Sequence, residues 1–263
     1  MFVRFWIIMF AFSCTSVCAA ELNWQNADAV TEIFEIAKLE GTFVLYDRQA
    51  KTYTGHNLAR AKQQYYPAST FKIPNTLIGL SAGSAKNLDE VLPYGGKPQP
   101  FPAWEKDMNL RDAIRVSNVP VYQELARRTG LKTMREHVEN LSYGNKEIGT
   151  VVDNFWLVGP LKINAIEQAQ FLAKLAQTSL SYPKDLQTQV KDIVLLESAD
   201  TWRLYGKTGW ADADKPGIGW WVGWVEKGDR IYSFALNVDV YGDEEVKKRI
   251  PIGRESLRVL GVL

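Results

Sequence analysis

The stretch Gly219-Trp220-Trp221-Val222-Gly223-Trp224-Val225 constrains the fold more than any other part of the chain. Its aromatic and β-branched residues favour a strand. It has little of the polar alternation of a strand with one wet face, so both its faces must be covered. Residues 230–240 follow across the short turn Gly228-Asp229, which makes the two segments an antiparallel hairpin. Residues 202–208 form another strand before them. Toward the other end of the chain, residues 41–47 read as a strand and residues 51–55 as its hairpin partner.

Between these strands the periodicity changes. Val121, Leu125 and Ala126 fall at helical spacing over residues 121–128, and Gly130 ends that helix. Asn164, with Glu167 three residues later, forms a capping-box start. Behind it Ile166, Ala169, Ala173 and Ala176 make one apolar stripe. Residues 186–196 repeat the helical pattern. Residues 247–260 read as a closing helix interrupted by Pro251. Residues 93–102 are a Pro/Gly-rich loop within one domain. Strands, then helices, then strands, then a helix is not the alternation of a doubly wound fold. The order specifies an α+β architecture: an antiparallel sheet built from both chain ends and flanked by helices, with an all-helical region inserted.

Residues 1–20 stand apart. Arg4 precedes an apolar run over residues 5–12, and Cys18-Ala19-Ala20 offers small residues for cleavage. This is the pattern of a secretory signal, which leaves a single mature domain over residues 21–263. The alternatives are an uncleaved anchor, for which the run is too short, and a lipid anchor, for which no Leu sits three residues before Cys14 or Cys18. Export places the protein in the periplasm, free of the membrane once cleaved. Both cysteines leave with the segment, so the mature chain has no disulfide in an oxidising compartment and relies on core burial. With 31 Lys+Arg against 30 Asp+Glu there is no basic surplus to bind nucleic acid. Only His56 and His137 remain, and no dedicated metal site is expected.

The candidate chemistry begins at Ser69-Thr70-Phe71-Lys72. On a helix, residues three apart share a face, which brings the Ser69 hydroxyl within reach of the Lys72 amine. The motif alone is common: Ser181-Tyr182-Pro183-Lys184 fits it too, as a loop entering a helix, and Pro74 removes a donor from the first helix. His56 falls in a polar turn after the first hairpin. His137 falls on a solvated helix face with Arg135, Glu136 and Glu139, and neither serves a G-x-S-x-G elbow. If a serine is the nucleophile, lysine is its base. An ordinary lysine, with pKa about 10.4, is protonated at neutral pH, so it needs burial or chemical conversion to serve. Two further segments matter: Ser117-Asn118-Val119, and Lys207-Thr208-Gly209 at a strand end, where Gly209 admits close backbone approach to a ligand. Taken singly, Ser117 is an N-cap and Lys207-Thr208-Gly209 an ordinary strand end. Together with Tyr143-Gly144-Asn145, in this order, they form a set that chance does not readily produce.

That set resembles the signature of the class D serine β-lactamases, the oxacillinases. Pro67-Ala68 before the serine, Phe155-Trp156-Leu157 and Gly219-Trp220-Trp221-Val222-Gly223-Trp224 match as well. The resemblance implies a β-lactamase/transpeptidase-like fold and hydrolysis of penicillin-type drugs, conferring resistance. It implies that Ser69 attacks the lactam carbonyl. Lys72, carbamylated by carbon dioxide or bicarbonate to N6-carboxylysine, takes the proton. Ser117 passes a proton to the leaving nitrogen, and Lys207 and Thr208 support that path and the substrate carboxylate. Backbone N–H groups of Ser69 and Trp210 form the oxyanion hole. Trp156 steadies the carbamate, unless it is plain core packing, and the apolar Val119 favours a neutral Lys72 amine. No prosthetic group is implied. The family places an Arg after the last strand to hold the drug's carboxylate; aligning on Ile250-Pro251 puts Lys247 there, with Lys248 and Arg249 close by. The alternatives are a penicillin-sensor domain that is acylated without turnover and a cell-wall D,D-peptidase. Both a monomer and a homodimer remain open.

Overall fold

The computed structural model describes residues 22–263, so the proposed signal segment lies outside the described residues. The chain opens with a short strand, β1 (Trp24–Asn26), and helix α1 (Asp28–Ala37), followed by the hairpin β2 (Gly41–Asp47) and β3 (Thr52–His56). The helical region holds α2 (Leu58–Ala61), a 3-10 turn at Ala68–Phe71, α3 (Lys72–Ser81), α4 (Leu110–Arg115), α5 (Val119–Thr129), α6 (Leu131–Asn140), α7 (Ala165–Ala176) and α8 (Lys184–Ile193). Strands β4 (Leu195–Ser198), β5 (Trp202–Ala211), β6 (Gly217–Lys227) and β7 (Arg230–Val240) return to the sheet, and α9 (Asp243–Val259) closes the chain. The sheet order is β1-β3-β2-β7-β6-β5-β4. Strand β7 from one end of the chain pairs antiparallel with β2 from the other, Val44 facing Ala235. The α+β architecture expected from the order of elements is therefore the one found.

The central strands are covered on both faces. Trp221 and Val225 join Phe34, Phe43, Phe234, Leu236 and Leu257 in a core beneath α1 and α9. Trp220, Val222 and Trp224 project into the larger core made with the helical region. This is why β6 reads as continuously apolar. Helix α7 lies across the sheet's inner face, where Ser233 Oγ donates to the Ala169 carbonyl at 2.7 Å. Its start is the capping box expected from Asn164 and Glu167.

Several local expectations are corrected. β1 runs parallel to β3, so the sheet is mixed at that edge. β5 continues three residues beyond 208, which places Lys207-Thr208-Gly209 inside a strand instead of at its end. The helix read over 186–196 stops at Ile193, and Leu195 begins an edge strand paired with β5. The closing helix starts at Asp243, four residues early, with Asp243, Glu244 and Glu245 in its first turn, where the helix dipole favours anions. Pro251 does not interrupt it. Pro251 lies on the exposed face, so the carbonyl it leaves without a partner can be hydrated.

Helix α9 approaches the sheet at Gly253, where a Cβ would overlap the Trp221 indole. Gly253→Ala is expected to cost about 1–3 kcal/mol through overpacking, read as a lower urea midpoint at unchanged slope. An unchanged midpoint would mean that α9 shifts freely on the sheet.

Candidate active site

The nucleophile turn is built by local geometry. Residues 68–71 form a 3-10 turn that runs into α3, and in such a turn residues i and i+3 eclipse one another. Ser69 and Lys72 are therefore stacked, with Lys72 Nζ donating to Ser69 Oγ at 2.8 Å. Both are buried, Lys72 almost completely at 1% exposure. Ala68, just before the serine, has φ 49°, a left-handed conformation uncommon for a residue with a Cβ. Its amide is held by the Trp156 carbonyl at 2.9 Å. Pro74 falls in the first turn of α3, where a missing amide costs little.

The second serine stands at the corner between α4 and α5. Asn118 caps α5 by accepting from the Val121 amide, so Asn118 is the cap residue and the Ser117 hydroxyl is left free for other work. Ser117 also adopts a left-handed φ, 57°. Its Oγ receives a hydrogen bond from Lys207 Nζ at 3.0 Å, across from β5. The same ammonium nitrogen reaches the Thr208 carbonyl at 2.9 Å. Gly209 lets β5 lie on the nucleophile turn: a Cβ there would be 3.0 Å from the Pro67 oxygen and 3.0 Å from Thr70 Cγ2. Ser69, Ser117, Val119, Thr208, Gly209 and Trp210 all line one cleft of about 290 Å³. A wider groove between α1 and α9 is lined by Ile33, Ile36, Pro251 and Arg254 among others, and holds no nucleophile.

The electrostatics of the cleft are one-sided. Lys72, Lys207 and Arg249 are all buried, and no carboxylate offsets the first two among the described residues. Burial, and then the neighbouring Lys207 charge, hold the Lys72 amine well below the ordinary lysine range. The Tyr122 ring lies 5.3 Å from Nζ and favours a cation, but that attraction amounts to about 2 kcal/mol. Desolvating an ammonium costs several kcal/mol, so the neutral amine wins. Lys207 is pulled down to about 7 by burial and then by Arg249. Burial lowers Arg249 itself to about 10.

The two histidines lie elsewhere. His56 ends β3, half-buried and stacked on Phe34, instead of sitting in a polar turn. His137 is half-buried beside the exposed Arg135, Glu136 and Glu139, with its Nδ1 2.6 Å from the Tyr182 hydroxyl. Ser181-Tyr182-Pro183-Lys184 is a loop entering α8, as expected. Tyr143 is buried beneath the nucleophile turn, where its hydroxyl donates to Gln168, and Gln168 donates to Thr70 Oγ1 at 2.8 Å. Trp156 is fully buried and stacked on Phe71, and its Nε1–H has no partner among the described residues. Lys247 is corrected: it points outward and pairs with Glu244 at 2.8 Å. Arg249 turns inward, lines the cleft and donates to the Gly209 carbonyl. Two residues apart on a helix is about 200° of rotation, so only one of the pair can face the sheet. The phase was readable from Gly253, Ser256 and Leu257, which are buried with Arg249. Phe101 and Trp104 rim the cleft from the loop that follows Pro93; without periodicity, the sequence of that loop does not say which of its side chains reach the site.

Among the described residues no cluster of His, Cys, Asp and Glu is placed to hold a metal ion, and no helix is long and apolar enough to cross a membrane.

Residues 41–258 match the family model described as the penicillin-binding protein transpeptidase domain. The chain is 40% identical over 254 residues to β-lactamase OXA-19 of Pseudomonas aeruginosa, covering 95% of this chain and 96% of that relative. It is 38% identical over 240 residues to β-lactamase OXA-48 of Klebsiella pneumoniae, covering 91% of each. Among solved structures it is similar to FUS-1 (OXA-85), a class D β-lactamase from Fusobacterium nucleatum subsp. polymorphum. The TM-score is 0.88 at 48% identity, with 91% of this chain and all of that one covered.

A depressed lysine pKa has a defined sign for stability. The unfolded chain protonates Lys72 up to its ordinary pKa and the folded chain does not, so folding is opposed at neutral pH and the penalty fades as pH rises toward that value. Lys72→Met, in buffer free of carbon dioxide, is expected to stabilise the fold at pH 7 by about 1–2 kcal/mol. The gain should shrink toward zero above pH 10. Thermal melts across that range check it, and a destabilised variant at pH 7 would contradict the burial penalty.

Proposed function

The chain belongs to the penicillin-binding protein transpeptidase family and, within it, to the class D β-lactamases. From that premise we propose that it opens the lactam amide of penicillin-type drugs through an ester on Ser69, with Lys72 as the base, after export to the periplasm. The observation that carries the assignment is the 2.8 Å contact between the buried Lys72 amine and the Ser69 hydroxyl.

Carbon dioxide fits this site on two counts. Only a neutral amine can attack it, and burial favours the neutral amine; the apolar Val119 lines the cleft with Ser69. The Trp156 Nε1–H is a donor without a partner, as an anion held beside Lys72 requires. Bound as a carbamate, carbon dioxide supplies an anionic acid–base group in place of the amine.

The chain's own groups do the rest. Ser69 Oγ bonds to the lactam carbonyl carbon, and its proton passes toward Lys72. The backbone N–H groups of Ser69 and Trp210 face the oxygen on which charge develops. The C–N bond breaks, and the nitrogen takes a proton through Ser117, which Lys207 holds in place. Arg249, Lys207 and Thr208 receive the drug's carboxylate, with Arg249 taking the part that sequence alignment gave to Lys247. Water then releases the ester and restores Ser69.

A chromogenic cephalosporin in bicarbonate buffer is expected to be turned over, with the rate lost reversibly on acidification or removal of carbon dioxide. Ser69→Ala should form no acyl adduct by mass spectrometry, and Lys72→Ala should lose nearly all turnover. No hydrolysis, with a stable adduct on the native protein, would mean a sensor instead. In a second comparison, Arg249→Ala should raise KM about tenfold through loss of a charge-assisted contact, while Lys247→Ala leaves KM unchanged. The reverse pattern would restore Lys247 to the site.

A further inference from the structure

Ser117 is held in a backbone conformation that a serine does not choose. A left-handed non-glycine residue persists only where its surroundings over-determine it. Its own amide reaches the Ile114 carbonyl at 3.3 Å, a long bond. The flanking residues are gripped harder, and by one residue outside the sequence motif, through its side chain on one side and its main chain on the other. Trp104 Nε1 donates to the Val116 carbonyl at 2.9 Å. The Trp104 carbonyl accepts from Asn118 Nδ2 at 3.2 Å. One residue thus bonds the chain immediately before and immediately after Ser117. Trp104 is itself anchored. Its ring meets Phe101 edge-on at 4.7 Å, and the base of its loop is closed by paired backbone bonds between Leu92 and Met108, both 3.1 Å. Asn118 is fully buried and is committed on its other side to capping α5.

We propose that Trp104 is a positioning residue for proton delivery: its two bonds fix the Ser117 backbone so that Oγ stays between Lys207 Nζ and the departing lactam nitrogen. The inference rests on the role given above to Ser117. Without the indole N–H, the Val116 carbonyl is free to turn, Ser117 can relax from its left-handed φ, and Oγ swings off the line to Lys207. Trp104 also lines the cleft wall, so its test must separate placing Ser117 from touching the drug.

Trp104→Phe keeps a ring against Phe101 and keeps the main-chain carbonyl that accepts from Asn118, while it removes the indole N–H together with one ring of the side chain. Single-turnover acylation by benzylpenicillin, normalised to titratable Ser69, is expected to slow about 10- to 100-fold. The substrate Kd from the same concentration series should change less than about threefold. The loss should be smaller with a chromogenic cephalosporin, whose conjugated leaving nitrogen needs less proton assistance. In a Ser117→Ala background the same substitution should have no further effect on the acylation rate, because the two residues act as one unit. A weakened Kd with an unchanged rate, or a full additional loss in the Ser117→Ala background, overturns the proposal. Full acylation by Ser117→Ala alone overturns the premise, and the proposal with it, whatever Trp104 does. If Trp104→Phe does not fold, Trp104→Leu, which has no side-chain donor, answers the same question.

Discussion

A lysine buried without a counter-ion is the constraint around which the rest is arranged. Lys72 is 1% exposed, stacked under a serine hydroxyl and facing a second buried lysine. A surface lysine in the same register would be a bystander. Enclosed by Phe71, Tyr122 and the apolar core beneath α3, the amine is held as a base. The three buried basic groups Lys72, Lys207 and Arg249 would repel one another if all were charged, and burial lowers the pKa of each, that of Lys72 well below the ordinary lysine range and that of Lys207 to about 7. The same arrangement receives an anion well, because the substrate brings the negative charge that the protein omits.

The sheet supplies the rigidity that such a site requires. Pairing between β2 and β7 ties the two ends of the chain together, so that β5 is held in register and can lie against the nucleophile turn at Gly209. The strained residues Ala68 and Ser117 sit next to the two reactive hydroxyls. Each is held by a bond from outside its own segment: the Trp156 carbonyl in one case and the Trp104 clamp in the other. Fold stability is thus used to keep two serines in conformations that local preference disfavours.

Much of this was legible beforehand. The apolar run of β6, the hairpin at Gly228-Asp229 and the capping box of α7 are local signals, and each maps onto the element found. The Ser69–Lys72 contact follows from a three-residue spacing on a helical turn. Other features were misread for equally physical reasons. Leu195 and Leu196 continue an apolar pattern but leave the helix because β5 offers backbone partners there. Pro251 looked like a break, yet its exposed position lets the lost bond be hydrated. Lys247 took the carboxylate role by alignment, though the helical phase turns it to solvent and brings Arg249 inward.

Sequence by itself determined the local terms: which segments are strand or helix, which hydroxyl stands one turn from which amine, and which family the motifs belong to. These depend on chain spacing and residue type, and neither changes on folding. Only the tertiary structure decided what depends on distance between remote segments: that Lys207 meets Ser117, 90 residues apart in the chain, that Arg249 faces the cleft, and that Trp104 grips both flanks of Ser117. It also lowered the Lys72 pKa, because desolvation is a property of the packed surroundings and no side chain carries it alone.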